Sequence, residues 1–258
     1  MHRRATLRDR GRHDALPPAP PGARLPDLPP LFRPVPLREG ADALARAAAL
    51  APEHGAGTLA WVGAYARAEA AVVLEPEMPF GPARLAFHAA ANALADAVAA
   101  WGPPELRVEL RWPGALLVNG GACGRLRLAA PPGAAEDAVP DWLAVGMELR
   151  LAFREGHEPG LLPGETALRE EGFDPDAASA SSFTAAWARH LMAGLDEWGA
   201  RGPHRPAERF LARLVDEAEA GDVRRGIDPA TGDLVLERGG ARSRRSLLEA
   251  LAPSEAAA

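Results

Sequence analysis

The chain has 258 residues, 29 basic against 35 acidic side chains for a net charge of −6, and 47% hydrophobic residues. That length buries one sizeable domain with a small appendage, and the mild acidity argues against a protein built to coat nucleic acid. Every basic residue is arginine and no lysine occurs, which excludes Schiff-base chemistry, a phosphate-loop lysine and a lysine general base, while the single Cys123 excludes an internal disulfide or a cysteine-cluster metal site.

Residues 1–30 hold five early arginines and then LPPAPPGARLPDLPP, where proline denies both helix and strand their donors, so a disordered lead-in is expected with order beginning near Leu31. Residues 37–55 contain an alanine-rich helix with Leu44 and Leu50 on one side. GTLAWV (57–62) and AAVVLEPEMP (70–79) are expected as strands of a hairpin around GAYARAE. PARLAFHAAANALADAVAAWG (82–102) is the clearest helix, with Pro82 in its first turn and Gly102 ending it. LRVELRW (106–112) alternates as a strand, ALLVNGGACGRLRLA (115–129) reads as strand, glycine turn and strand, and DWLAVGMELRLAF (141–153) as another strand. Residues 181–202 and 206–220 are amphipathic helices, the first capped by Ser181 or Ser182. The end, from Ile227, predicts a turn, LVLER and a second short polar strand. Strands interleaved with a few helices imply an α+β sheet domain. No run of about 18 apolar residues occurs and no apolar signal core follows the basic start, so a soluble cytoplasmic protein is expected.

The segment RWPGALLVNGGACGRL, Arg111–Leu126, resembles the central motif of the biotin/lipoate A/B protein ligase family: a basic residue, Trp and Pro, an apolar strand, a tight turn and a return strand. GTLAW (57–61), the strand and long helix at 72–98, TALREEG (166–172), Trp198 to Phe210 and GDVRRGIDPATGDLVL (221–236) follow the family in the same order. The resemblance implies a ligase-like mixed sheet with packed helices over residues 31–220. It also implies a small truncated C-terminal β appendage over 221–250, before a tail at 251–258. It further implies ATP- and Mg2+-dependent formation of an acyl-adenylate of biotin or lipoate, and transfer to a lysine of a biotinyl or lipoyl carrier protein domain. A small carboxylic acid ligand and a homodimer are compatible with it; nucleic acid and membrane are not expected.

On that pattern Arg111, Arg125 and Arg127 are the catalytic candidates, and Arg67, Trp112, Pro113, Asn119, Gly120, Gly121, Gly124 and Asp141 the ligand- or nucleotide-binding ones. Arginine is a good fork for phosphate, and glycine admits close backbone approach. Arg125 and Arg127 share one strand face, either the cleft or solvent, and Trp112 either walls a pocket or packs in the core. Arg111 meets either a ligand anion or a surface carboxylate, and Asp141 is either a ligand group or a turn cap.

Three departures stand out. The nucleotide loop is cut to GAYARAE with one arginine, the lysine position after Asn119-Gly120 holds Gly121, Ala122 and Cys123, and Gly114-Ala115 replace the family's Asn-Asp. They open an alternative: a non-catalytic relative acting as a small-ligand or carrier-protein binding module. Glu155, His157 and Glu158 have no fixed metal-ligand spacing, so no metal site is expected; His88 and His190 fit packing roles in helices, and Cys123 a small residue in a tight turn.

Overall fold

The computed structural model describes residues 24–154, 156, 162–215 and 223–252. Seven strands form the main sheet: β1 (Arg33–Leu37), β2 (Thr58–Gly63), β3 (Arg67–Leu74), β4 (Val108–Arg111), β5 (Ala115–Val118), β6 (Gly121–Ala129) and β7 (Leu143–Arg150). Their spatial order is β1-β2-β3-β7-β6-β5-β4; β1 runs parallel to β2 and every other pair is antiparallel. The helices are α1 (Ala43–His54), α2 (Phe80–Ala83), α3 (Leu85–Trp101), α4 (Ala180–Arg201), α5 (His204–Arg213) and α6 (Leu247–Leu251). A second sheet comprises β8 (Val223–Ile227), β9 (Leu234–Arg238) and β10 (Ala241–Arg245), with β9 central. The α+β class and the mixed sheet with a small C-terminal sheet are thus observed.

Side-chain alternation gives the main sheet two differently used faces. On one, Ala60, Ala71, Val73 and Ala144 pack against Ala43, Leu44, Ala47 and Ala51 of α1. The small residues let this helix lie close. On the other, Leu59, Trp61, Val72, Val145, Met147 and Leu149 meet α3 and α4 in the main core. Helix α3 is buried along most of its length because it lies between the sheet and α4, and Trp187 of α4 donates its indole N–H to the Ala90 carbonyl at 3.1 Å. That explains its almost unbroken Ala, Leu and Val sequence.

Several elements differ from expectation. Packing begins before Leu31, since Leu25 and Leu28 lie against the main core; residues 1–23 fall outside the described residues. The strand β1 was not legible because Pro34 and Pro36 argue against one; an edge strand with a single neighbour tolerates them. Helix α4 is capped by Ser179, whose side chain accepts from the Ser182 N–H, and not by Ser181 or Ser182. Helix α5 stops at Arg213, where the chain turns to pair with β4 through the Val215 N–H to Leu110 carbonyl bond. The appendage carries a third strand, β8, and its Ile227, Leu234, Leu236 and Leu247 belong to the main core.

Candidate functional site

The strand register concentrates charge at one end of the sheet. Arg67 of β3 lies opposite Arg150 of β7, Glu69 opposite Glu148, and Glu148 opposite Arg125 of β6. With Arg127 these residues occupy the face that α1 covers, and the start of α1 sits against them. Asp42 caps α1 by accepting from the Ala45 N–H at 2.9 Å, and Glu69, only 3% exposed, accepts from the Ala43 N–H at 2.7 Å.

Every cation of this cluster has a carboxylate partner. Arg67 pairs with Glu69 at 2.9 Å and donates to the Ala41 carbonyl at 3.1 Å. Arg125 forks onto Glu148 through Nε and a terminal nitrogen, at 2.8 and 2.9 Å. Arg127 forks onto Asp42 at 2.9 and 2.8 Å and also reaches Glu148 at 3.1 Å. Three arginines thus meet three carboxylates and the cluster is neutral. The Arg127 hydrogen bonds hold the Asp42 carboxyl below its ordinary range, and Asp42 in turn raises Arg127. Burial pushes Glu69 up, opposed by the Ala43 N–H and the Arg67 charge.

Beside the cluster lies an open groove of about 710 Å3, lined among others by Arg67, Cys123, Arg150, Phe153, Arg154 and Glu165. Arg150 is its best-fixed cation. It donates to the Thr166 carbonyl at 3.2 Å, pairs with Glu165 at 2.6 Å and lies over the Phe153 ring at 5.2 Å. Cys123 is buried at the groove wall, and burial lifts its thiol to about 12, leaving no thiolate to act as nucleophile near neutral pH.

The sequence-derived candidates divide. Arg67, Gly124 and Arg125 line the groove, and Arg127 belongs to the adjoining ion-pair cluster. Arg111 ends β4, at the far edge of the sheet, the cis-linked Trp112 and Pro113 follow it, and none of the three is among the groove-lining residues. Trp112 packs against two rings: it stacks on His88 at 6.1 Å and meets Phe210 edge-on at 6.3 Å. Asn119 and Gly120, both with positive φ, make the two-residue turn between β5 and β6. Asn119 donates to Glu171 at 2.6 Å and accepts from the Arg107 N–H at 3.2 Å. Gly121 and Gly124 serve packing: a Cβ on Gly121 would stand 2.8 Å from the Thr166 side chain, and one on Gly124 2.8 Å from the Glu148 carbonyl oxygen. Asp141 precedes Leu143, at the end of β7 remote from Arg150, and is not among the groove-lining residues.

Sequence reasoning missed Asp42, Glu69, Glu148, Arg150 and Glu165. The available signal was charge placed two apart inside otherwise apolar strands, Arg67-x-Glu69 and Glu148-x-Arg150. His88 is a packing residue as expected, but only half satisfied: its Nε2–H donates to the Gly232 carbonyl at 2.8 Å, and its buried Nδ1 has no partner among the described residues. Glu155, His157 and Glu158 lie outside the described residues, and among the described ones no cluster of metal-binding type occurs. No described helix is long and apolar enough to cross a membrane.

A family model, the biotin/lipoate A/B protein ligase family, matches residues 28–212. Among solved structures, the chain is similar to a biotin protein ligase-like protein of unknown function from Silicibacter sp. TM1040. The identity is 29% and the TM-score 0.73, over 88% of this chain and 99% of that one. It is also similar in fold to the biotin protein ligase of Aquifex aeolicus, at 13% identity and TM-score 0.61 over 83% and 95%. The biotin protein ligase of Leishmania major in complex with biotinyl-5-AMP matches at 13% identity and TM-score 0.53 over 84% and 99%. A search of the curated proteins found no match.

Proposed function

We propose, on the premise that the chain belongs to the biotin/lipoate A/B protein ligase family, that it binds a small carboxylic acid without activating it as an adenylate. The observation that carries this reading is the neutral cluster. Adenylation needs positive charge held ready for a triphosphate and for the charge that grows on phosphorus. Here Arg67, Arg125 and Arg127 are already committed to Glu69, Glu148 and Asp42. A triphosphate must displace those carboxylates and then sit beside them, losing Coulomb energy at each contact. The missing lysine and the three-residue link Ala64–Ala66 between β2 and β3 offer no replacement. The residues present do not fit ATP.

A carboxylic acid fits better. Arg150 is oriented by backbone carbonyls and by Phe153, and its partner Glu165 is 38% exposed. Glu165 is exposed enough to turn to solvent, as the buried Glu69 is not, so a ligand carboxylate can take its place on Arg150 while the ligand's apolar body lies along Phe153 and Leu162. The groove volume falls within the roughly 300–1,000 Å3 of small-ligand sites. Calorimetric titration with biotin, lipoate and octanoate tests the reading. At least one acid is expected to bind, and Arg150→Ala to weaken it by about 10- to 100-fold, the range for a lost hydrogen bond to a charged group. Binding of none, or binding indifferent to Arg150→Ala, would count against it.

A further inference from the structure

We propose a second ligand site, independent of the groove: an apolar cavity for an aliphatic molecule with a cationic head. It has a volume of about 330 Å3 and lies between the sheet, α4 and the start of α3. Leu143 is part of its wall, so it stands at the opposite end of β7 from Arg150 and on the opposite sheet face from the ion-pair cluster.

The space is made by small residues. Ala56, Gly57, Ala83 and Ala86 form parts of the wall where larger side chains would fill it. Gly57 has φ +82 and a Cβ there would stand 2.5 Å from the Leu31 carbonyl oxygen, so this position stays small for backbone reasons. Leu191, Met192, Leu195 and Trp198 bring four apolar side chains of α4 to the same space. Methionine is unbranched and adjusts its shape to an occupant. The space is open to solvent on one side, like the groove, and has the size of a small-molecule site.

The head group follows from charge. Among the described residues lining the cavity Glu75 is the one ionisable group, and it is exposed to solvent. One of its carboxylate oxygens accepts from the Ala56 N–H at 3.2 Å. Arg33, whose guanidinium reaches the same loop, is committed to the carbonyls of His54 and Ala56. An ammonium head can pair with Glu75, and a carboxylate head is repelled by it. This reverses the preference of the groove, where Arg150 selects an acid, so the two proposals fail separately.

The test is calorimetry on the full chain with hexylamine, octylamine and decylamine, and with decanoate as the opposite head. Affinity is expected to rise about fourfold per added methylene until the space is full, from the transfer free energy of one buried CH2. Decanoate is expected to bind at least tenfold more weakly than decylamine, and Glu75→Gln to remove that difference. Leu195→Trp, and separately Met192→Trp should the first fail to fold, is expected to block binding by occupying the space. Tryptophan fluorescence should respond to decylamine in the unaltered protein and lose that response in Trp198→Phe. Failure of all three amines to bind, amine binding that survives both filling substitutions, or a tighter fit for decanoate would each overturn the proposal.

Discussion

At the scale of single residues, Glu69 is the carboxylate on which the proposed reading turns. Its carboxylate satisfies the Ala43 N–H at the start of α1 and partners Arg67, the two features most able to hold an outside anion. The chain thus places its own carboxylate where a ligand phosphate would sit. Glu69→Gln keeps a hydrogen-bond acceptor and removes the charge, so weak pyrophosphate binding is expected to appear in calorimetry, with none expected for the unaltered protein. Glu69→Ala removes the acceptor as well and leaves a buried donor unsatisfied. A loss of about 1–3 kcal/mol in urea unfolding is expected. His88 sets a pH dependence. Burial holds its imidazole at about 4, below the ordinary 6.5, against the opposing Gly232 hydrogen bond and the Asp233 charge. The unfolded chain therefore binds more protons between those values, and stability falls as pH drops through that window, by about 3 kcal/mol at its lower end. Glu69, raised in the folded state, gains stability as pH falls and opposes part of this. The His88 share is read as the difference in urea midpoints, pH 7 against pH 5, between the unaltered protein and His88→Gln, where the slope should flatten.

At the scale of elements, the strand β6 and the segment 164–166 beside it define the groove wall. The Ala122 N–H donates to the Gly164 carbonyl at 2.8 Å and the Thr166 N–H to the Ala122 carbonyl at 3.0 Å, so this segment adds to the sheet like a short extra strand. Glycine at 121 permits that approach. Gly121→Ala is expected to push Thr166 away and cost about 1–3 kcal/mol, the range for overpacking. Gly120→Ala meets no atom within 4 Å but sits at φ +85, and its cost, about 1 kcal/mol, comes from backbone strain alone. Thermal unfolding of the two variants, with acid binding measured beside it, separates them: only Gly121→Ala should weaken the ligand. Much of the element order was legible because apolar periodicity and glycine turns mark β2, β3, α3, the β5–β6 hairpin, β7 and α4 directly. The strand β1 was not, since Pro34 and Pro36 speak against a strand unless its position at a sheet edge is known. The role of Trp112 was not legible either, because a tryptophan beside a proline is equally at home in a pocket wall and against His88 and Phe210.

At the scale of the whole molecule, the appendage is continuous with the main core. Leu234, Leu236 and Leu247 join the core cluster, Gly232 receives the His88 hydrogen bond, and the Leu247 N–H is held by the buried Asp233. Deleting residues 223–252 uncovers this apolar face and removes the partner of a fully buried histidine. Aggregation or a markedly lower melting temperature is expected, measured by light scattering and calorimetry, and a well-folded truncated protein would contradict the docking described. The family was legible in the Arg111–Leu126 segment and in the order of elements around it. The state of its site was not, because ion pairing depends on register: nothing in the linear sequence places Asp42 against Arg127 or Glu148 against Arg125. Those pairs carry the central claim, that the ligase fold here keeps a ligand groove and has neutralised the charge that adenylation requires. Titration calorimetry of Mg-ATP into the folded chain, alone and with biotin or lipoate present, tests it most directly. No heat of nucleotide binding at about millimolar ATP, with the acid binding equally well in its presence and absence, is the expected result. Mutually dependent binding of ATP and acid, followed by pyrophosphate release, would contradict it.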